Sequence, residues 1–296
     1  MASIDSRAMP HTVDTASGAR PAAGALRRVA GLEVLGWPAL EGLPVEAFVT
    51  ARGGGTSVGA YASLNLSFAV GDDAGAVLEN RRRVAAAIGA DLGDWAFSRQ
   101  VHGAGVRIAT SADRGSGAFG LDESVPEADA LVTTDSSVVL AILAADCVPI
   151  VLYDPVAHVL GCVHSGWRGT VARVSEAAVA AMRALGASTE NVIAGIGPAI
   201  SPDRYQVGGD VVDAVQRGLG AAAAKVIRPD GTGKWLLDLW AANRVVLLEA
   251  GLADEQINVA AIPTGSAGNN LFFSDREVRP CGRLALVARL RTRGER

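Results

Sequence analysis

The sequence predicts a mixed α/β fold, and two observations support this prediction. Short runs rich in Val, Ile, Leu and Ala, separated by Gly, Pro and Asp, are typical of buried strands. Longer segments carry apolar residues at helical spacing, and two of them stop at Gly186 and Gly251, as helices commonly do. The two kinds of segment follow no regular β-α-β rhythm, so the pattern indicates only the class of fold.

The predicted elements follow one another from residue 45 onward. Residues 45–51 form a strand that leads into the glycine loop 53–55, and Asp73 or its neighbour caps a helix over 74–88. Within this helix we interpret Arg81, Arg82 and Arg83 as a solvated face in preference to an anion site. Further strands are predicted at 106–109, 130–133, 138–143, 149–153, 159–164, 193–196 and 257–262, further helices at 171–185, 211–223 and 237–250, and either state at 281–290.

Size and composition indicate one globular domain. No clear linker divides the 296 residues, of which 49% are hydrophobic and 20% charged. We therefore predict a flexible tail over residues 1–28 and a single domain over 29–296. The net charge of -4 gives no general electrostatic reason to expect a nucleic acid or an anionic membrane as a partner.

Cysteine use and hydropathy indicate a cytoplasmic protein. Three cysteines are too few, and odd in number, for the disulfide framework of a small secreted protein, so we expect a reducing compartment. The first 28 residues lack the apolar core of a signal peptide. The most apolar segment, 138–152, is interrupted by Asp146 and Pro149 and is too short to span a bilayer, so we expect it to be a buried strand.

Two histidines and one cysteine form a plausible metal-binding set. His102 and His164 each lie beside glycine at the end of a predicted strand, and Cys147 lies at a strand boundary before Pro149. Two imidazoles and a thiolate suit a three-ligand zinc site whose fourth position takes water or substrate. Cys162 is a rival ligand, because strand alternation places it on the same face as His164, and spacing does not choose between the two cysteines.

Ordered sequence blocks extend from about Thr50 to Leu290. They are Thr50-Ala51-Arg52-Gly53-Gly54, Tyr61-Ala62-Ser63-Leu64-Asn65-Leu66, Val70-Gly71-Asp72-Asp73, Glu79-Asn80-Arg81, Gln100-Val101-His102-Gly103, Ala128-Asp129-Ala130-Leu131-Val132-Thr133, Ala145-Asp146-Cys147-Val148-Pro149-Ile150, His164-Ser165-Gly166-Trp167-Arg168-Gly169, Gly195-Ile196-Gly197-Pro198-Ala199-Ile200, Asp238-Leu239-Trp240, and Phe272-Phe273-Ser274 through Gly282-Arg283. Together these blocks resemble the YfiH-like family. That family has been labelled a laccase-domain or multicopper polyphenol oxidoreductase family, and its members are now regarded as purine nucleoside phosphorylases with a zinc site.

The resemblance implies a fold, a metal site and a substrate class. It implies a layered mixed β-sheet core flanked by helices, with zinc held by His102, Cys147 and His164 and copper as an alternative occupant. The implied substrates are phosphate and purine nucleosides, namely adenosine, inosine, guanosine and methylthioadenosine, with adenosine deamination as a second reaction. The chain departs from the family pattern at 202–204, at Pro263 and at 275–277, and these departures bear on substrate preference.

Three further residues are candidates for the chemistry. Arg52, beside the glycine loop, and Arg168, four residues after His164, are predicted anion clamps, because guanidinium binds oxyanions through paired donors. A structural ion pair is the alternative for each arginine. Asp146 is predicted either to exchange a proton with the leaving base or a water, or to orient a histidine.

Other functions remain as alternatives. A multicopper oxidase needs more imidazoles than the four histidines of this chain supply, although a single copper ion in the same site is compatible with weak phenol oxidation. An amide hydrolase that edits peptidoglycan precursors is a further alternative, because some relatives are linked to that role. The last alternative is a noncatalytic binding module, in which the fourth metal position is blocked.

Overall fold

A computed structural model describes residues 24–121 and 127–292. Most of the predicted tail, residues 1–23, lies outside the described residues. The rest of that range is structured, because its last residues, from Ala25, belong to the first strand, Ala25–Val29. This strand is exposed in the middle and carries two arginines, so it lacks the apolar signal that marked the other strands.

The described residues contain fifteen strands and five α-helices. The strands are β1 (Ala25–Val29), β2 (Leu32–Gly36), β3 (Val45–Thr50), β4 (Trp95–Phe97), β5 (Val106–Ile108), β6 (Ala130–Thr133), β7 (Val139–Ala144), β8 (Val148–Asp154), β9 (Val159–Ser165), β10 (Ile193–Ile196), β11 (Gln206–Val207), β12 (Ile227–Pro229), β13 (Trp235–Leu237), β14 (Ile257–Val259) and β15 (Leu284–Leu290). The helices are α1 (Ala74–Ala87), α2 (Trp167–Val171), α3 (Val174–Ala184), α4 (Gly209–Leu219) and α5 (Leu239–Glu249).

Two six-stranded sheets form the centre of the fold. The first sheet has the order β1-β2-β3-β15-β7-β4 and the second has the order β14-β10-β8-β9-β6-β5. Each sheet mixes directions, because β4 is parallel to β7 while β15 is antiparallel to β7, and β5 is parallel to β6 while β9 is antiparallel to β6. The mixed α/β class and the layered sheet core are therefore confirmed.

Side-chain alternation along the strands explains the layers. In β7, Leu140 and Ile142 enter the apolar core between the two sheets, whereas Val139 and Ala141 enter a second core on the outer face of the first sheet, which α1 covers through Val84. A third core lies between the second sheet and helices α3 to α5. The long apolar strands are thus buried on both faces, as expected for the segment 138–152.

Several predicted boundaries differ from the structure. The helix predicted over 171–185 begins later, as α3 at Val174, and a separate helix, α2, ends at Val171. Arg173 between them adopts a left-handed backbone with φ of 63°. The helix predicted over 211–223 ends at Leu219, and a 3₁₀ segment follows. Residues 284–290 are a strand that lies between β3 and β7 in the first sheet.

The prediction for the arginine triplet of α1 is wrong at one position. Arg82 and Arg83 are exposed, as expected for a solvated face, but Arg81 is only 2% exposed. Its guanidinium packs between the rings of Phe68 and Phe97. Among the described helices, none has both the length and the apolar character that a bilayer crossing requires.

Candidate metal centre

Three separate elements bring His102, Cys147 and His164 together. His102 lies in the loop after β4 with φ of 60°, Cys147 lies in the turn between β7 and β8, and His164 is part of β9. Strands β8 and β9 pair antiparallel with Pro149 opposite His164, so the β7–β8 turn reaches the end of β9. The contact is close, because a Cβ atom at Gly166 would lie 2.7 Å from the sulfur of Cys147.

The geometry of this group fits a single metal ion. One donor atom from each side chain lies within 4.8 Å of the other two. In a tetrahedral zinc site the donors lie roughly 3.5 Å apart, so small side-chain rotations suffice to close the set around an ion. His102 is exposed, which leaves one side of the group open toward solvent. The residues present therefore fit a zinc-type ion with an accessible fourth position.

Cys162, the rival ligand, lies elsewhere. Its side chain is fully buried in the core between the two sheets, paired across the strands with Leu131 and Val151. Burial raises the pKa of this thiol far above its ordinary value, so it stays protonated and is a poor metal ligand. The structure thus groups the histidines with Cys147.

Asp129 organises the centre and was not among the predicted site residues. One carboxylate oxygen lies 2.9 Å from Nδ1 of His164, and the same carboxylate accepts hydrogen bonds from the backbone amides of Val101, His102 and Gly103 at 3.2, 3.0 and 2.7 Å. The side chain is fully buried at the start of β6. A buried acid directly before an apolar strand, within Ala128-Asp129-Ala130, was the available sequence signal.

The electrostatics of the ion-free centre favour a thiolate. Burial raises the pKa of Cys147, but the charge of His164 and hydrogen bonds from both histidines outweigh it and lower this pKa to about 6. Burial lowers the pKa of His164, but the Cys147 thiolate and Asp129 raise it to about 9. For Asp129, burial raises the pKa, but hydrogen bonds from His164 and from the Gly103 amide outweigh burial and leave the pKa below its ordinary value.

A cavity of about 660 Å³ opens beside the three donors, within the size range of small-molecule sites. Arginines dominate its charged lining, and the acids in the lining are Asp146 and Asp275. The lining arginines are Arg81, Arg99, Arg168, Arg276, Arg279 and Arg283. Asp275 pairs with Arg279 and Arg283 at 2.6 and 2.9 Å, so the cavity retains an excess of positive charge suited to an anionic ligand.

The two predicted anion clamps lie in different places. Arg168 is exposed, lines the cavity and stacks on the Trp167 ring at 4.4 Å, without a salt-bridge partner among the described residues. Arg52 does not line the cavity. Its Nε donates to the carbonyl of Ala62 at 2.6 Å, and its guanidinium lies 5.1 Å from the centre of the Phe273 ring.

Asp146 lines the cavity but contacts neither histidine in the described hydrogen-bond network. Its carboxylate accepts hydrogen bonds from Thr264 Oγ1 at 2.5 Å and from the backbone amide of Arg276 at 2.7 Å. Its backbone has φ of 81°, which fits the tight turn before Cys147. Asp146 therefore links the turn of Cys147 to two distant loops, and the role of orienting a histidine falls to Asp129.

The three departures from the family pattern meet at one place. Arg204 donates to Glu277 at 2.8 Å, and both contact Ser266, which follows the segment of Pro263 closely. The neighbouring Arg276 stacks on the ring of Tyr205 at 5.0 Å and donates to the carbonyl of Gln206 at 3.0 Å. These unusual residues thus hold each other and support the cavity wall formed by Arg276 and Tyr205.

Comparisons with known proteins agree on one family. The profile described as multi-copper polyphenol oxidoreductase laccase matches residues 46–291. Purine nucleoside phosphorylase YlmD of Geobacillus stearothermophilus is 39% identical over 232 residues, which cover 78% of this chain and 84% of that protein. Adenosine deaminase RL5, from an unknown prokaryotic organism, is 39% identical over 237 residues, which cover 79% of this chain and 89% of that protein.

A solved structure supports the same relationship. The crystal structure of YlmD from Geobacillus stearothermophilus matches with a TM-score of 0.86 and 36% identity, over 92% of this chain and all of that one. The resemblance expected from the sequence blocks is thus confirmed, and so is the fold. The names of these relatives describe enzymes that process nucleosides.

Proposed function

The chain belongs to the family described as multi-copper polyphenol oxidoreductase laccase, and from that premise we propose that it is a zinc-dependent purine nucleoside phosphorylase that also deaminates adenosine. The observation that carries this proposal is the joint placement of His102, Cys147 and His164 at a cavity rich in arginine. The names of the two relatives, a purine nucleoside phosphorylase and an adenosine deaminase, support the same pair of reactions.

Zinc, when bound by the three side chains, would polarise an oxygen ligand and lower the pKa of a water molecule. His164 would hold the ion through Nε2, because Nδ1 faces Asp129. Cys147 would hold it as the thiolate that its neighbours already favour. His102 would complete the set from the solvent side, where a loop held by Asp129 presents it.

Phosphorolysis requires an oxyanion beside the anomeric carbon of the ribose. A phosphate oxygen forms a bond to this carbon as the bond to the purine nitrogen breaks, and the departing base keeps the electron pair and takes a proton. Arg168 would hold the phosphate, and this role is supported by its position in the cavity lining without a salt-bridge partner among the described residues. Arg276, stacked on Tyr205, supplies a second guanidinium.

Two groups are available to the leaving base. Burial raises the pKa of Tyr205 to about 12, so its hydroxyl keeps its proton at neutral pH and can donate a hydrogen bond. Asp146 also lines the cavity, and it remains our candidate for exchanging a proton with the base or with a water molecule. The hydrogen bonds that this carboxylate accepts from Thr264 and from the backbone amide of Arg276 fix its position.

Copper-dependent phenol oxidation is the less favoured function. Among the described residues, His102, Cys147 and His164 are the only group of three or more His, Cys, Asp or Glu side chains close enough to share a metal ion. His158 contacts the hydroxyl of Tyr153 at 3.0 Å, away from this group. A multicopper mechanism requires several further imidazoles, so at most one copper ion fits the described part of the chain.

The test is chromatography of nucleosides incubated with the zinc-loaded protein. We expect inosine to yield hypoxanthine and ribose 1-phosphate only when phosphate is present, and adenosine to release ammonia without phosphate. Cys147→Ser should abolish both reactions, whereas Cys162→Ala, which changes a thiol in the sheet core, should retain them. Absence of base release with phosphate and zinc would contradict the phosphorylase proposal, and oxidation of phenols after copper loading would favour the alternative.

A further inference from the structure

One wall of the cavity, on the side of the first sheet, contains a buried cation that the proposed reaction does not use. Arg81 from α1 lines this wall with Ser98, which follows β4, and Arg283, which precedes β15. We call these three residues the Arg81 wall. His164, Trp167 and Arg168, at the end of β9 and in α2, line another part of the cavity.

Arg81 has no acidic partner within the described residues. Nε donates to the carbonyl of Leu66 at 2.8 Å, and Nη1 donates to the carbonyls of Gly117 and Ala118, whereas Nη2 has no hydrogen-bond acceptor in the described part of the chain. Burial lowers the pKa of Arg81 to about 9, so the group still carries its charge at neutral pH. A buried charge without a counter-ion is unfavourable, and an anion in the cavity would compensate it.

Ser98 provides an independent observation. Its hydroxyl oxygen is shielded from solvent and has no hydrogen-bond partner, which is rare for a buried polar atom. Ser98 follows Phe97 directly, and the guanidinium of Arg81 lies 3.8 Å from the centre of the Phe97 ring. Among the described residues, Ser98 and Arg81 thus each carry a polar group without a protein partner, and both residues line the same cavity.

Arg283 extends this wall. Its backbone carbonyl accepts a hydrogen bond from the amide of Leu66 at 3.1 Å. The carbonyl of Leu66 in turn accepts the hydrogen bond from Nε of Arg81. The backbone of Arg283 and the side chain of Arg81 thus both bond to the backbone of Leu66. Asp275 neutralises Arg283 at 2.9 Å, which leaves Arg81 as the uncompensated charge of the pair among the described residues.

We propose that the Arg81 wall is an oxyanion subsite that binds a phosphate group through the Nη2 of Arg81 and through the hydroxyl of Ser98, once that side chain has rotated toward the cavity. This inference rests on the proposed function, because it adds a second anion site to that of Arg168 in the same cavity. Two sources share this chemistry: free inorganic phosphate, and the 5′-phosphate of a purine nucleotide whose base and ribose extend toward the metal centre.

Equilibrium binding tests the subsite without requiring turnover. Isothermal titration calorimetry with the zinc-loaded protein would measure the Kd for inorganic phosphate and, separately, for inosine 5′-monophosphate. The variant Ser98→Ala removes a hydroxyl that has no partner within the protein, so it should fold with unchanged thermal stability. Since a hydrogen bond to a charged group is lost, we expect it to raise the Kd for the bound phosphate source about tenfold or more.

Two further variants complete the test. Arg81→Lys keeps the charge but loses the forked donors, and it should weaken the same ligand. Ser175→Ala changes a buried serine in the helix layer, hydrogen-bonded to Asn243 and outside the cavity lining, and should leave both Kd values unchanged. Weaker binding of free phosphate identifies inorganic phosphate as the occupant, and weaker binding of the nucleotide alone identifies the 5′-phosphate.

The proposal is overturned if neither ligand binds, or if Ser98→Ala and Arg81→Lys, both folded, bind both ligands as the unaltered protein does. Such a result leaves phosphorolysis itself untouched, because base release from inosine is measured independently. Conversely, phosphate binding that depends on Ser98, combined with no release of base, would support the subsite and contradict the phosphorylase proposal. The two failures are therefore distinguishable.

Discussion

Asp129 Oδ1 lies 2.9 Å from Nδ1 of His164, and the same carboxylate accepts the backbone amide of His102 at 3.0 Å. One buried side chain thus supports both imidazoles of the candidate metal centre, one through its ring and the other through its backbone. Both histidines are also hydrogen-bonded to the thiol of Cys147. Since Nδ1 of His164 contacts Asp129, its Nε2 is the ring nitrogen that remains for Cys147. Carboxylates in this position typically set the orientation and basicity of a metal-bound imidazole.

Replacing Asp129 by asparagine should therefore weaken metal binding. We expect Asp129→Asn to lower zinc affinity about 10- to 100-fold, since the imidazole loses its charged partner. Competition with a chromogenic chelator measures this affinity. The matched control is Asp135→Asn. Like Asp129, Asp135 accepts hydrogen bonds from backbone amides, those of Ser111 and Ser137, but it is not part of the metal centre. Equal zinc affinity in the two variants would show that Asp129 does not support the centre.

The reactivity of Cys147 should follow a depressed pKa in the zinc-free protein. Because the pKa is lowered to about 6, the thiolate predominates above about pH 6, and the rate of alkylation by iodoacetamide should fall only below that pH. The other two thiols have raised pKa values and should react slowly. Mass spectrometry identifies the alkylated residue, and Cys147→Ser should lose the fast reaction. A rate midpoint near pH 8.5, the ordinary value for a thiol, would refute the thiolate assignment.

Arg168 and Arg52 should behave differently when replaced. Arg168→Ala should raise the KM for phosphate about tenfold or more, because it removes a charged donor from the cavity wall. Arg52→Ala should instead lower the thermal stability, because Arg52 donates to Ala62 and stacks on Phe273 outside the cavity. Steady-state kinetics and thermal unfolding separate the two effects. A larger change in phosphate KM for Arg52→Ala would reverse these roles.

The pair of Arg204 and Glu277 should stabilise the loop that carries Arg276. Glu277→Arg should repel Arg204 and lower the free energy of unfolding by about 1 kcal/mol, since the pair is partly exposed. The double variant Arg204→Glu with Glu277→Arg should recover part of this loss. Thermal unfolding of the single and double variants gives the coupling, and strictly additive effects would show that the pair does not interact.

The sequence predicted the central strands well and singled out three side chains that the structure brings together, for a physical reason. The strands are buried on both faces, so their apolar runs are long and unambiguous, as in 138–152. Histidine and cysteine are scarce in the chain, which made His102, Cys147 and His164 visible as candidates. The choice between Cys147 and Cys162 depended on the family resemblance, because only the fold shows which thiol leaves the core.

The features that escaped prediction depend on tertiary contacts. Asp129 is identified by four hydrogen bonds from residues distant in the sequence, and no local pattern encodes them. Arg81 resembles its exposed neighbours Arg82 and Arg83 in sequence, but helical rotation turns it toward Phe68 and Phe97. The break at Arg173 is likewise invisible in the apolar spacing, because it arises from one left-handed residue.

X-ray absorption at the zinc edge tests the metal centre most directly. For the protein loaded with one equivalent of zinc, we expect one sulfur scatterer at about 2.3 Å and nitrogen or oxygen scatterers at about 2.0–2.1 Å, with the imidazole signature of two histidines. Cys147→Ser should lose the sulfur contribution, while Cys162→Ala should keep it. A spectrum without sulfur in the unaltered protein would contradict the shared ion on which the account depends.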